Sequence, residues 1–137
     1  MRSGLTAKAV AAALSLTLVW VAAADAATTR KYKGKTSQGK TITFKIRSNS
    51  LRSLKFSVVL NCSDCSSLTD TESGFQSTRI RKNKFTDTQV GTTDEVVFSG
   101  TRKRKGKRVT GKIKVTDKLN STVSCGPATV TFSAKRL

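Results

Sequence analysis

The densest chemistry in the sequence is cationic. Arg102-Lys103-Arg104-Lys105-Gly106-Lys107-Arg108 places six positive side chains within seven residues. Holding them together costs repulsion that an anionic partner relieves, and each guanidinium offers a two-pronged donor to phosphate, sulfate or carboxylate. Arg102, Lys103, Arg104, Lys105, Lys107 and Arg108 are therefore the candidate anion-binding residues. The competing reading is a solvated tip whose charge keeps the molecule soluble and discourages edge-to-edge association. Nucleic-acid bases stack on aromatic rings, and this run contains none. Tyr32, between Arg30-Lys31 and Lys33, is a lone stacking candidate or an anchor for the N-terminal strand.

Three cysteines form the second set. Cys62 continues the alternation of Leu54, Phe56, Val58 and Leu60, and Cys125 follows Val123 at strand spacing, so both are expected to face the core. A Cys62–Cys125 bridge is the favoured pairing; it would close a long loop and contribute about 4 kcal/mol through chain entropy. Three other readings follow in order: Cys65–Cys125, a redox Cys62–Cys65 pair, and a metal site. The C-x-x-C spacing lacks the helix start and βαβ setting that activate a redox thiol. A zinc site needs three or four ligands, and with no histidine it would have to recruit a carboxylate.

The lack of histidine also removes Ser-His-Asp and Cys-His chemistry. Asp70 with Glu72, and Asp94 with Glu95, are the close acidic pairs that could serve a glycosidase. The first falls in an expected loop, while strand neighbours 94 and 95 would face opposite sides of a sheet. Solvated surface acids are the better reading. The sequence predicts a non-enzymatic protein with no catalytic residues, cofactor or metal.

The elements that must position these residues are strands. Ile42, Phe44 and Ile46 alternate with polar residues across Lys40 to Arg47, which makes one face apolar and the other wet. The pattern returns at Leu54 to Leu60, at Val96 and Phe98, at Val109, Ile113 and Val115, and at Ala128, Val130, Phe132 and Ala134. The basic run lies between two such segments and so reads as an exposed hairpin tip, with Gly106 easing the turn. Lys45, Arg47, Lys112, Lys114 and Lys135 occupy outward positions that could extend it into a basic face. Lys82-Asn83-Lys84 between Ile80 and Phe85 suggests a tight hairpin. Ser63 to Ser77, which lacks periodicity, reads as a long loop. Turn signals every 8 to 12 residues predict an all-β fold, an antiparallel β-sandwich or small β-barrel of about seven strands.

Arg2 and Lys8, the apolar run from Ala9 to Ala24, and Ala24-Asp25-Ala26 form a signal-peptide pattern, with cleavage expected after Ala26. The expected organisation is a signal-peptide helix over 1–26 and a single basic β domain over 27–137. The run is short for a bilayer span, so no stable transmembrane association is expected after cleavage. Removing Arg2, Lys8 and Asp25 lowers the formal charge only from +18 to +17, so the basicity belongs to the folded domain.

The mature chain resembles an uncharacterised group of small secreted β-domain proteins from high-GC Gram-positive bacteria. The likeness rests on Gly34-Lys35-Thr36-Ser37-Gln38-Gly39-Lys40 before the Ile42-x-Phe44 strand, Leu60-Asn61-Cys62, Ile80 to Phe85, and Cys125-Gly126-Pro127 before Val130. It implies export, a compact β fold and a Cys62–Cys125 bridge, but no activity; Cys65 and the dense cationic run depart from its pattern. The expected location is secreted or cell-wall-associated. The partners expected of such a charge are an anionic cell-wall polymer, acidic polysaccharide or extracellular DNA. The alternative is a structural or protein-interaction domain whose specificity resides in Ser63 to Ser77.

Overall fold

The computed structural model describes residues 27–137; the expected signal peptide over 1–26 lies outside the described residues. Nine antiparallel strands form one sheet curled into a half-barrel. They are β1 (Thr29–Thr36), β2 (Thr41–Arg47), β3 (Ser50–Asn61), β4 (Ser67–Glu72), β5 (Thr78–Arg79), β6 (Lys84–Val90), β7 (Asp94–Lys103), β8 (Arg108–Lys118) and β9 (Ser124–Arg136). The strand order is β4-β3-β2-β1-β9-β8-β7-β6, with β5 also on β3. All strands share this hydrogen-bonded sheet, whose edges β4 and β6 do not pair, so the fold is a half-barrel rather than a sandwich of two sheets.

The predicted alternation sets the core. Ile42, Phe44, Leu54, Phe56, Val58, Leu60, Val96, Phe98, Val109, Ile113, Val115, Val130, Phe132 and Ala134 are all buried on the concave face. Leu51 joins them although it is out of phase with Leu54. The register between β2 and β3 shifts opposite Phe44, where Ser53 adopts a left-handed backbone (φ 53°). This bulge absorbs one residue and restores both leucines to the same face.

Two glycines make room for aromatic rings on the neighbouring strands. Phe85, Gly100, Gly111 and Phe132 stand in direct register on β6, β7, β8 and β9. A Cβ on Gly100 would collide with the Phe85 ring, and one on Gly111 with the Ser99 carbonyl and the Phe132 ring. The two rings thus fill the space that the glycines leave open, so side chains are excluded at both positions.

Two sequence expectations are corrected. Residues 63–77 are not one long loop, because Ser67–Glu72 pairs with β3 from Phe56↔Glu72 to Asn61↔Ser67 as an edge strand. Its alternation is hard to see because Leu68 is followed on the inward side by Asp70 and Glu72 rather than by apolar residues. The rest of the segment clasps the open side of the half-barrel. Phe75 packs on Phe56 and Phe98 at centroid distances of 5.8 Å each. Gln89 exchanges hydrogen bonds with the backbone of Gln76, and Thr78 donates to Asp87 at 2.6 Å. Strands β4 and β5 raise the count from about seven to nine. The Lys82–Asn83 turn is the expected tight hairpin: both residues have positive φ, and Arg81 and Lys84 exchange backbone hydrogen bonds.

Candidate functional site: a cationic sheet face and barrel mouth

Cys62 and Cys125 form the disulfide, and both are buried. The bridge ties the end of β3 to the start of β9 across the curl, beside a hydrogen bond from Ser63 N–H to the Ser124 carbonyl at 2.8 Å. Cys65 is free and exposed. Among the described residues, no group of three or more His, Cys, Asp or Glu is placed to hold a metal ion.

The hairpin exists, but its six cations do not form one cluster. Lys103 ends β7 and Arg108 begins β8, opposite each other on the convex face. Arg104, Lys105, Gly106 and Lys107 make the turn, with φ of 51°, 54° and 81° at the first three positions. Two consecutive non-glycine residues in the left-handed region are unfavourable and persist only where the surroundings impose them. Here the Tyr32 hydroxyl donates to the Gly106 carbonyl at 2.5 Å, and Arg136 N–H donates to the Lys107 carbonyl at 3.0 Å. Tyr32 is buried and stacked on Phe44 at 5.1 Å, so it anchors the strand and the turn and presents no ring for a base.

Arg102 departs furthest from the sequence reading. It lies on the inward parity of Val96, Phe98 and Gly100, beyond the end of the apolar core. Its guanidinium donates to Asn83 Oδ1 at 3.0 Å, Asn49 Oδ1 at 3.1 Å and the Ser48 carbonyl at 3.5 Å. Two turns, Ser48-Asn49 and Lys82-Asn83, are thereby tied to β7 at one end of the half-barrel, and the charge is oriented by neutral acceptors only.

The outward positions align in ways that one strand cannot reveal. Lys55, Thr43, Lys33, Lys135, Arg108 and Lys103 stand in direct cross-strand register on β3, β2, β1, β9, β8 and β7. A second rank runs Arg52, Lys45, Lys31. Lys45, Arg47, Lys112, Lys114 and Lys135 are exposed, as expected. At the end of the first rank, Arg104, Lys107, Arg108, Lys135 and Arg136 line a groove of about 340 Å3.

The acids are segregated. Asp70, Glu72, Asp87, Asp94 and Asp117 all pair with inward-facing partners or with each other, Asp64 lies in a turn, and Glu95 alone takes an outward strand position among the described residues. Glu72 is pushed up to about 8, first by burial and then by Asp70 and Asp94 nearby. The sequence pairing of Asp70 with Glu72 is thus a real juxtaposition, placed on a strand rather than a loop, and Asp94 joins it from β7. Its proton keeps a crowded carboxylate group from full ionisation.

Comparison with family models, curated proteins and solved structures finds no match, so the functional reading rests on this charged surface itself.

Proposed function

We propose that the protein is an exported, non-enzymatic module that binds anionic polymers across the convex face of its sheet, with the hairpin as one end of the binding track. The observation that carries this reading is the rank Lys33, Lys135, Arg108, Lys103 on four adjacent strands. Like charges directly opposite one another destabilise a sheet, and nothing in the rank offsets them. An anionic chain laid along it would. With Lys55 the rank crosses six strands, about 24 Å at a strand spacing of roughly 4.8 Å, which suits an extended polymer better than a small ion.

Wall teichoic acid, acidic polysaccharide and extracellular DNA are the partner classes that suit a secreted or wall-associated domain. The buried disulfide supports an oxidising compartment. The test compares the mature domain with a variant carrying Gln at residues 103, 104, 105, 107 and 108; Arg102 is kept because it ties two turns to β7. Binding to each polymer is measured across salt. Loss of binding in the folded variant and a steep fall with salt support the reading. Binding that ignores salt, or that the variant retains, refutes it.

A further inference from the structure

The convex face is not the whole cationic surface. At the hairpin end, inward-facing strand positions continue past the apolar core and become arginines. Arg30 precedes Tyr32 by two residues on β1, Arg136 stands opposite Tyr32 on β9, and Arg102 lies on β7. With Lys105 from the turn they line a cleft of about 570 Å3 at the mouth of the half-barrel, beside Tyr32 and Asn83. No carboxylate lines it.

Two features distinguish this cleft from a merely solvated charge cluster. Arg102 is fixed by three neutral acceptors, so its direction is set while its charge stays uncompensated, and two of its five N–H donors remain unused. The turn carrying Lys105 is tied to the core by the Tyr32 hydroxyl, which fixes the backbone root of that side chain beside the cleft. Donors gathered around a polar opening from four separate segments suit a compact, multiply charged oxyanion.

We infer that this cleft binds a phosphomonoester group. Three guanidiniums and an ammonium without a counter-carboxylate match a dianion better than a monoanion. A phosphomonoester carries nearly two charges at neutral pH and three terminal oxygens that can meet more than one guanidinium fork. A phosphodiester has one charge and two such oxygens. The inference rests on the polymer reading for its setting and deepens it: the face would hold the chain and the cleft its phosphorylated end. A free phosphomonoester is the other source of the same chemistry.

The test is a titration followed at the arginine Nε–H resonances, with glycerol phosphate, its bis-glycerol diester and sulfate as probes. Glycerol phosphate should bind at least tenfold more tightly than the diester, and sulfate, a dianion of similar size, should compete with it for the same resonances. Arg30→Gln with Arg136→Gln should weaken it at least tenfold. Lys33→Gln with Lys55→Gln, which removes the same charge from the convex face, should weaken it less than threefold. Equal losses in the two variants, or equal affinity for diester and monoester, overturn the inference. If the glutamine variant does not fold, Arg30→Lys with Arg136→Lys keeps the charge and removes the forks; unchanged affinity there overturns the inference too.

A second arm uses poly(glycerol phosphate) chains with and without a terminal phosphomonoester. Tighter binding of the phosphorylated chains supports the end-group source, whereas binding of glycerol phosphate without that chain preference supports the free source. Chains that bind while glycerol phosphate does not would leave the polymer reading standing and refute the cleft. Glycerol phosphate binding without chain binding would refute the polymer reading and leave the cleft.

Discussion

Removing the disulfide tests how the curl is held. The perturbation is Cys62→Ala with Cys125→Ala in a Cys65→Ser background, so that the exposed third thiol cannot exchange. The bridged cysteines are 63 residues apart. In the chain-entropy model a loop of that size removes about 14 cal/mol/K from the unfolded state, or about 4.3 kcal/mol at 25 °C. For a domain of this length, with an unfolding entropy near 2.1 cal/mol/K per residue, that lowers Tm by roughly 18 °C. It also takes much of a typical stability of about 5 to 15 kcal/mol, leaving a fold that is marginal but present. The assay is urea unfolding at 25 °C alongside calorimetry, comparing the double variant with Cys65→Ser alone. Because the unfolded chain expands without the bridge, the urea m-value should rise as the midpoint falls. A loss below about 1 kcal/mol with unchanged m would refute the reasoning. Closure would then depend on the Ser63–Ser124 hydrogen bonds and the surrounding core.

Three further outcomes follow from the same geometry. Glu72 has a folded value near 8 against an ordinary value of 4.5, so its protonated form is favoured by folding. The contribution is fully present below about pH 4.5 and is lost as pH rises through 8; Glu72→Gln should therefore stabilise the protein at pH 9, and not at pH 4, by about 1 to 2 kcal/mol after allowing for solvent screening of a half-exposed group. Equal effects at both pH values in chemical denaturation would contradict this. Tyr32→Phe removes the hydroxyl that holds the Gly106 carbonyl and should cost about 1 kcal/mol, with faster amide exchange confined to residues 104–107 as the specific sign. For the polymer site, a DNA chain engaging the five cations of the long rank should give a slope of log K against log salt near −4.5, and each Lys→Gln change along the rank should make it shallower by about 0.9.

Phe44 and Lys45 illustrate what local pattern carries. Adjacent strand residues face opposite sides, so the apolar and cationic faces were both legible before any tertiary structure. The core list, the outward lysines, the antiparallel class and the Lys82–Asn83 turn all follow from that two-residue period and from turn chemistry. The same rule does not reach two places. Leu51 and Leu54 fall out of phase because the Ser53 bulge shifts the parity, and β4 shows no apolar alternation because two of its three inward positions carry Asp70 and Glu72, whose crowding with Asp94 raises the Glu72 carboxyl.

Which side of each strand is apolar and which is charged, and that two cysteines of inward phase could meet, can be read from the chain alone, because these are properties of consecutive residues. Only the tertiary structure decided that Lys33 lies opposite Lys135 and Lys135 opposite Arg108, which turns scattered lysines into a continuous track. It alone sent Arg102 from the apparent hairpin tip into the barrel mouth with Arg30 and Arg136. The reason is that cross-strand register and the curl of the sheet come from pairings between residues far apart in the chain, such as β1 joining β9, and no short-range pattern encodes them.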